Sequence, residues 1–317
     1  MFYLGIDISK DSFDVALLGA EQRWRGHFDN NAAGFSRLQR WLKKRRVDEL
    51  HAAMEATSRY WEELALFLTD EGYQVSVVNP KLVKRHAEAI MQRNKTDKQD
   101  ALTIADYCAK QQPDLWLPPS AAQRELKVMV RHLQALKADR QRERNRQTSG
   151  PSSSPVLDAI KRHIAFLDAQ IAELEERIQE HIDQHPDLKQ DTELLQSIPG
   201  VGPTVAATFL AEVPHVDNFA QARQVAAFAG LTPGEHHSGS SIHRPGRLIK
   251  WGNAHLRTVY YMPALSAHIH NTIIHALRER LLARGKSKMT VIVAIMRKLL
   301  HLCYGVLKTR KPRLPTW

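Results

Sequence analysis

The chain has 317 residues, of which 43% are hydrophobic and 25% are charged, a composition typical of a globular protein with two or three domains. Its 45 Lys and Arg residues outnumber its 34 Asp and Glu residues, which gives a formal net charge of +11 and a pI of about 9.7. This excess is typical of nucleic-acid binders, although charge alone does not decide the function. The two cysteines, Cys108 and Cys303, are too few for a disulfide framework or a cysteine zinc site. We expect a cytoplasmic protein with neither a membrane span nor a secretory signal.

The first hundred residues predict an α/β domain in which three consecutive strands precede alternating helices and strands. The predicted strands are Phe2 to Ser9, Ser12 to Leu18, Gln22 to Phe28, Glu49 to Glu55 and Tyr73 to Val78. The predicted helices are Ala32 to Arg45 and Tyr60 to Thr69. Asn79 and Pro80 are expected to end the last strand. This order of elements is that of a ribonuclease-H-like fold.

Four acidic residues of this domain are candidate metal ligands. Asp7 interrupts the apolar first strand and Glu55 ends the fourth; these two strands are neighbours in a ribonuclease-H-like sheet, so both carboxylates could face one cleft. Asp97 and Asp100 share one face of a helix that Thr96 is expected to cap and that runs to about residue 111. Each acid alone has an ordinary explanation, such as a strand end or the helix macrodipole. Together, in a basic chain, they favour Mg²⁺-dependent chemistry on phosphodiesters.

The middle of the chain predicts two long helices after a linker from Pro113 to Pro119. The first helix, Ala121 to Arg146, has a basic end that could contact a phosphate backbone or form a solvated charged face. Its candidate nucleic-acid-binding residues are Arg140, Arg142, Arg144 and Arg146. The second helix has a nearly heptad apolar repeat, formed by Ile160, Ile164, Leu167, Ile171, Leu174, Ile178 and Ile182. The repeat predicts a helical hairpin or coiled coil, packed on the preceding helix or on another protomer.

A third region is predicted from about Asp191 onward. Its segment Ile198-Pro-Gly-Val-Gly, between two helical stretches, has the pattern of a helix-hairpin-helix motif. The backbone amides at Gly200 and Gly202 could face a DNA phosphate at a helix N-terminus, although a purely structural glycine turn has the same sequence. Two long helices, Asn253 to His270 and Ile273 to Lys308, are predicted to follow. The chain therefore divides into three predicted domains, at residues 1–112, 113–190 and 191–317.

Residues 234–247 are rich in Gly and Ser and are predicted to form a flexible loop. Ser238 lies in this loop, and Arg244, Arg247 and Lys250 follow it. Cations near a serine could stabilise both its alkoxide and the transition state of attack on a phosphate. On chemistry alone, phosphate binding is preferred over a nucleophilic role. The three histidines His236, His237 and His243 could suggest a zinc site, but this is disfavoured because no fourth ligand is evident.

Several of these motifs, in this order, resemble the IS110 family of insertion-sequence transposases, its IS1111 branch and the related pilin-inverting DNA recombinases. The matching strings are Gly-Ile-Asp7, Glu55-Ala-Thr, Lys95-Thr-Asp97-Xaa-Xaa-Asp100-Ala, Ile198-Pro-Gly-Val-Gly, Phe228-Ala-Gly-Leu-Thr-Pro with Ser238-Gly-Ser-Ser, and Arg297-Lys-Leu-Leu with Tyr304-Gly-Val-Leu-Lys. The similarity runs nearly end to end. It departs at Ser58, where many relatives have glycine.

The resemblance implies an N-terminal RuvC-like domain and an all-α C-terminal transposase domain with a coiled coil and a helix-hairpin-helix. The family's DEDD tetrad, which binds Mg²⁺ with Mn²⁺ as a substitute, matches Asp7, Glu55, Asp97 and Asp100. Its serine nucleophile matches Ser238, which would attack DNA and form a covalent 5′-phosphoserine link within a composite active site. The choice of Ser238 over the two later serines of the motif, Ser240 and Ser241, rests on this match alone.

The resemblance also implies the partners. Family members form dimers that pair into tetramers around an element-encoded non-coding guide RNA, whose loops base-pair with target and donor DNA, so that pairing rather than protein contact selects sequence. The protein would then act in the bacterial cytoplasm, at the nucleoid when bound to DNA. Two alternatives remain open. They are a metal-only RuvC-like nuclease or junction resolvase, and a non-catalytic nucleic-acid-binding scaffold.

Overall fold

The computed structural model describes residues 1–20, 22–56, 59–90, 97–150, 153–238, 242–249 and 251–313. At residues 97, 98, 235–238, 242–247 and 249 only the backbone is described. The chain forms two compact units, Met1–Pro118 and Pro119–Trp317. The further division of the second unit near residue 190 stays a prediction.

The first unit is built on a five-stranded sheet with the strand order β3-β2-β1-β4-β5. The strands are β1 (Phe2–Ile8), β2 (Ser12–Leu18), β3 (Arg23–Asp29), β4 (Leu50–Glu55) and β5 (Gln74–Val78). β1, β2 and β3 are antiparallel neighbours, whereas β4 pairs with β1 and β5 pairs with β4 in parallel. The predicted order of strands and the pairing of the first strand with the fourth are therefore confirmed.

Helices cover both faces of this sheet. On one face, α1 (Ala32–Lys43) and α2 (Glu62–Asp70) pack against alternate residues of β1, including Leu4 and Ile6. On the other face lie α3 (Pro80–Ala89) and α4 (Asp97–Gln111), with Ile104 and Cys108 of α4 packed against Ala53 of β4. Since side chains alternate along a strand, these contacts assign each strand residue to one face.

Helix α3 was not predicted. Asn79 and Pro80 do end β5, but they also begin a helix, because the Asn79 side chain accepts a hydrogen bond from the Lys81 backbone N–H at 3.0 Å. Proline is well tolerated in a first helical turn, where its missing N–H would have no intrahelical partner. The same two residues therefore act as a strand end and a helix start.

The predicted linker after α4 lies along β5. The Trp116 backbone N–H donates to the Val75 carbonyl at 2.7 Å, and the Ser76 hydroxyl donates to the Pro113 carbonyl at 3.0 Å. The Ser76 hydroxyl also lies 2.7 Å from Nε2 of the buried His51, whose pKa is lowered by burial. The linker is thus attached to the sheet by backbone and side-chain hydrogen bonds.

The second unit is mostly helical. Its helices are α5 (Ala121–Ser149), α6 (Ser154–Gln184), α7 (Pro186–Gln196), α8 (Pro203–Glu212), α9 (Ala222–Phe228), α10 (Ala254–His270), α11 (Thr272–Ala283) and α12 (Lys288–Thr309). α8, α10 and α12 contribute most of its buried core. The predicted helical hairpin is confirmed, since α6 packs against α5 with Ile171, Ile178 and Ile182 buried in the same core as Leu126 and Val130. A supercoiled coiled coil stays a prediction.

The second unit also contains two strands, so an all-α C-terminal domain is wrong in this detail. Strands β6 (Thr232–Ser238) and β7 (Ile242–Ile249) pair antiparallel, with an irregularity between Gly234 and His236. The sequence predicted a flexible loop here because Gly and Pro are unfavourable inside strands. A two-stranded ribbon tolerates them because each strand has a free edge and one bulge absorbs the misfit.

The last predicted helix is in fact two helices. α11 ends before Gly285, which has a φ of +69°, and Ser287 begins α12 by accepting the Thr290 backbone N–H at 3.3 Å. Glycine stops a helix readily in this left-handed conformation, and serine is a favoured N-cap. Among the described helices, α12 has the length and apolar composition that a membrane span needs, but the core helix of a globular unit can have the same composition. Half of its apolar window is buried in the unit's core, which accounts for its composition.

Candidate active site

Asp7 and Glu55 lie on the same face of the sheet at the same edge. Ile6 of β1 pairs with Met54 of β4, so the next residues along these parallel strands, Asp7 and Glu55, are neighbours in register. Asp7 shares its face with Gly5, and Glu55 shares its face with Ala53, which packs against α4. Both acids therefore project from the carboxyl ends of adjacent strands onto the face covered by α4.

Helix α4 places the other two acids at this edge. A Cβ added at Gly5 would come under 3.0 Å from the backbone of Ala101 and Ala105, so the helix backbone lies directly on β1. Farther along, Gln112 donates a hydrogen bond to the Tyr3 hydroxyl at 3.2 Å. α4 therefore runs antiparallel to β1, and its first turn, with Asp97 and Asp100, lies toward Asp7.

A fifth acid, Asp14, was missed by the sequence analysis. It lies directly opposite Asp7 in the antiparallel β1–β2 pair and on the same face. Its side chain is 14% exposed and lies 3.1 Å from Nδ1 of His27 on β3. Like charges opposite each other destabilise a sheet, so a cation near this edge would relieve the repulsion between Asp7 and Asp14. Only the pairing register, which the sequence does not state, brings these acids together.

The donor chemistry of this edge fits Mg²⁺, which prefers carboxylate oxygens and water. Asp7, Glu55 and Asp100 each have interactions within the chain. Within the part of the chain that the structure describes, no group of three or more His, Cys, Asp or Glu residues is close enough to hold a metal ion. The Asp97 side chain and all of Thr96 lie outside the described residues. A four-acid metal site thus stays a prediction.

Ser238 is the last residue of β6, and its backbone pairs with that of Ile242 on β7. The structure describes no side chain at Ser238, Arg244 or Arg247. Other predicted positions, Ser58, Ser240, Ser241 and Lys250, lie outside the described residues, as do the side chains of the histidines considered for zinc. The candidate nucleophile is therefore located at the tip of a β-hairpin, and its surroundings stay a prediction.

The predicted helix-hairpin-helix elements are present as α7, a turn and α8. Gly200 has a φ of +98°, which favours glycine, and a Cβ there would lie 2.9 Å from the Ala267 side chain of α10. Gly202 precedes α8 as its N-cap, with open space where a Cβ would be. The buried Asn271 donates to the Pro199 carbonyl at 3.1 Å and so ties the turn to the α10–α11 junction. Phosphate binding by this turn stays a prediction.

Two family models match the chain. A DEDD-type model described as a transposase matches residues 4–149, and one described as transposase IS116/IS110/IS902 family matches residues 192–279. The pilin gene-inverting protein of Moraxella bovis is 34% identical over 314 residues, which cover 98% of this chain and 97% of that protein. The chain belongs to the IS110 family of transposases.

Other relatives support the same family. The transposase for insertion sequence element IS1111A of Coxiella burnetii is 32% identical over 152 residues, which cover 45% of this chain and 40% of that protein. The putative transposase y4qE of Sinorhizobium fredii is 24% identical and covers 96% of this chain and 88% of that protein. The protein is therefore an insertion-sequence DNA transposase or recombinase, and DNA is its substrate.

The four candidate arginines of this IS110-family transposase all pair with acids of the α5–α6 hairpin. Arg140 donates to Asp168 of α6 at 2.7 Å, and Arg144 lies 3.6 Å from the same carboxylate. The other two pair within α5, Arg142 with Asp139 and Arg146 with Glu143. The side chains of Arg142 and Arg146 are 71% and 70% exposed, whereas that of Arg140 is 26% exposed. Arg142 and Arg146 are thus the better placed to exchange their partners for phosphates.

A buried acid of the transposase, Glu212, was also missed by the sequence analysis. Its side chain is 2% exposed and accepts two hydrogen bonds from Arg131, from Nε at 2.7 Å and from an Nη at 2.9 Å. Asn253 donates a third at 2.6 Å. Burial alone would raise the pKa of Glu212, but the hydrogen bonds from Arg131 and Asn253 and the nearby positive charge lower it overall. Glu212 ends α8 directly before a loop, and nothing in the sequence marks it as buried.

Proposed function

We propose that this transposase cuts and rejoins DNA strands with divalent metal ions at Asp7, Glu55, Asp97 and Asp100 and with Ser238 as nucleophile, under the direction of an element-encoded guide RNA. The observation that carries the proposal is the convergence of β1, β4 and the first turn of α4 at one edge of the sheet. This edge belongs to a sheet with the strand order β3-β2-β1-β4-β5, which supports the proposed RuvC-like domain.

The acids are the residues that would hold Mg²⁺, with Mn²⁺ as a substitute. Bound there, the ions would neutralise charge on the scissile phosphate and on the attacking and leaving oxygens. The chain's own contribution is positional: the parallel register of β1 and β4 fixes Asp7 beside Glu55, and the close approach of α4 at Gly5 fixes the height of Asp100 above the sheet. Carboxylates held on rigid elements need no rearrangement before the reaction.

Ser238 would lose its Oγ proton to solvent and attack the phosphorus of the scissile phosphodiester through Oγ. The bond from phosphorus to the 3′ oxygen then breaks, the leaving 3′ oxygen takes a proton, and the 5′ phosphate remains esterified to the serine. A 3′ hydroxyl of another strand reverses the step and releases Ser238. Ser238 ends a hairpin strand, a position that suits a side chain that must reach a phosphate of bound DNA. The nearest cations in sequence are Arg244, Arg247 and Lys250.

The net charge of +11 supports contact with nucleic-acid phosphates. We propose that the exposed arginines of the α5–α6 hairpin contact the guide RNA or DNA and that the protein assembles as a dimer and then a tetramer on the RNA. It would act in the bacterial cytoplasm, associated with the nucleoid when bound. Guide RNA transcribed from the element's flanks should co-elute with the protein on a sizing column and raise its apparent mass to that of a multimer.

Cleavage by two variants tests the proposal against its rivals. Ser238→Ala should abolish strand cleavage of a labelled DNA junction, because no other group forms the ester. A metal-only nuclease would keep cleaving with this variant and leave no protein on the DNA. Asp7→Asn should also abolish cleavage, whereas a non-catalytic scaffold would show no metal-dependent activity in any form. Digestion of the protein–DNA adduct followed by mass spectrometry should place the DNA on Ser238 and not on Ser240 or Ser241.

A further inference from the structure

We infer that Glu212 is a positioning residue for the β6–β7 hairpin, and that its bonds to Arg131 and Asn253 hold this hairpin in the orientation needed for Ser238 to react. The inference rests on the proposed role of Ser238. It does not place Glu212 in contact with DNA.

The three residues join three helices at one point. Arg131 comes from α5, Glu212 ends α8, and Asn253 begins α10 immediately after the hairpin. All three hydrogen bonds to the carboxylate are 2.9 Å or shorter. A bidentate Arg–carboxylate pair fixes orientation as well as distance. The basic helix α5 and the chain leaving β7 are thus held against the same carboxylate.

Asn253 connects the carboxylate of Glu212 to the segments that lead into and out of the hairpin. Its backbone N–H donates to the Phe228 carbonyl at 2.7 Å, close before β6 begins. Arg257 reinforces the same junction by donating to the carbonyls of Ala229 at 2.9 Å and Gly252 at 3.1 Å. A Cβ at Gly252, which has a φ of +153°, would lie under 3.0 Å from Phe228 and Gly230. The entry and the exit of the hairpin are therefore bound to each other at its base.

The side chain of Asn253 makes two hydrogen bonds with different roles. Its oxygen accepts the Leu256 backbone N–H at 3.0 Å and caps α10, while its nitrogen donates to Glu212. A cap alone would be satisfied by Asp, whose ionised carboxylate accepts hydrogen bonds but cannot donate one. Only a side chain with both an acceptor and a donor can cap α10 and also bind the carboxylate, which ties the start of α10 to α8.

A buried carboxylate is a costly way to join helices, since well-packed apolar residues often stabilise a protein as much or more. Glu212 does, however, impose a direction that apolar packing does not. It accepts two hydrogen bonds from Arg131 and one from Asn253, so a rotation of the hairpin base breaks a bond to a buried charge. This is the behaviour expected of a group that fixes geometry rather than one that only adds stability.

Three variants test the inference. Glu212→Gln keeps the size of the side chain and removes the charge. Glu212→Gln/Asn253→Asp exchanges donor and acceptor across the hydrogen bond and keeps a capping oxygen for α10. Asp191→Asn is the matched control, because Asp191 also forms a partly buried pair with an arginine, Arg310, elsewhere in the second unit. Each is compared with wild type for guide RNA and DNA affinity, melting temperature, hydrogen exchange in residues 232–249 and yield of the covalent DNA adduct.

We expect Glu212→Gln to slow adduct formation by about 100-fold, which is the loss of rate expected when a reacting group is misplaced by about 1 Å. Nucleic-acid affinity should stay within about twofold of wild type. Hydrogen exchange should rise in β6 and β7, and the double variant should recover part of both losses, as coupled residues do in a double-mutant cycle. Asp191→Asn should leave adduct yield and hairpin exchange unchanged.

Two results would overturn the inference. One is a Glu212→Gln protein with wild-type adduct yield and hairpin exchange. The other is a loss of adduct in proportion to melting temperature, equally in Glu212→Gln and Asp191→Asn, which would assign Glu212 a purely structural role. If wild type itself forms no adduct, the proposed role of Ser238 fails instead, and hydrogen exchange still decides whether Glu212 orders the hairpin.

Discussion

Gly5 determines how closely α4 approaches the sheet, and with it the position of Asp100. We predict that Gly5→Ala destabilises the protein by about 1–3 kcal/mol, because the added methyl group would enter the backbone of α4. It should also reduce metal-dependent cleavage, since Asp100 adjoins the contact at Ala101. Urea unfolding measures the first effect, and junction cleavage measures the second.

Gly305 provides the control for this prediction. It lies inside α12 with open space where a Cβ would be, so Gly305→Ala should leave cleavage intact and raise stability by up to about 1 kcal/mol. A Gly5→Ala protein as stable and as active as wild type would show that α4 does not rest on β1 as described.

Glu212 makes the stability of the folded protein depend on pH in the acidic range. Its pKa in the folded protein lies below its ordinary value of 4.5, so its bonds to Arg131 and Asn253 contribute stability that is fully present above pH 4.5 and lost as the pH falls through the folded pKa. We predict that the unfolding free energy of wild type falls more steeply below pH 4.5 than that of Glu212→Gln. Urea unfolding at a series of pH values checks this. A difference between the two proteins that is the same at every pH would contradict it.

At the scale of elements, the sequence predicts strands better than helix junctions. Each of the five strands of the first unit has an apolar, β-branched or alternating pattern that two-residue periodicity makes visible. α3 was missed because Asn79 and Pro80 signal both a strand end and a helix start. The break between α11 and α12 was missed although Gly285 and Ser287 are the usual stop and start signals, because the apolar pattern continues across them.

The β6–β7 hairpin shows a different limit of prediction from sequence. Its Gly and Pro content lowers local strand propensity, and its strands are stabilised by pairing with each other rather than by preference of either segment. Similarly, the arginines of α5 were identifiable as a basic run, but their partners on α6 were not. Asp168, 28 residues from Arg140 in sequence, is brought close only by the hairpin.

The arginine pairs divide into two kinds with different expected effects. We predict that the double variant Arg142→Ala/Arg146→Ala weakens nucleic-acid binding. The slope of the logarithm of the association constant against the logarithm of salt concentration should become shallower by up to about 2, since each phosphate contact contributes about 0.9 to that slope. Arg140→Ala should affect stability more than binding, because Arg140 bridges α5 and α6. Affinities at several salt concentrations measure the first effect. An unchanged salt slope would show that the two exposed arginines form only a solvated charged face.

At the scale of the whole molecule, each unit has a hydrophobic core of its own. We predict that residues 1–118 expressed alone unfold in a single cooperative transition, as a unit with its own core can. Circular dichroism during urea unfolding measures this. A broad, non-cooperative transition would show that the first unit needs the rest of the chain to fold.

The candidate site could be predicted from the sequence only in part. Asp7 and Glu55 follow from strand pattern and fold order, because parallel neighbours end at the same edge. Asp14 and Glu212 could not be found, because an acid's burial and its partners depend on register and helix packing rather than on local pattern. The assignment of Ser238 came from family resemblance, since its chemistry depends on surroundings that the sequence does not specify.

The most direct test of the central claim is whether the protein becomes covalently joined to DNA. Wild type, Ser238→Ala and Asp97→Ala would be incubated with the flank-derived RNA, a labelled DNA junction and Mg²⁺, and resolved on a denaturing gel. We predict a protein–DNA band with wild type alone, lost when Mg²⁺ is chelated. Cleavage that persists in Ser238→Ala with no covalent band would contradict the serine mechanism and establish a nuclease that depends on metal alone.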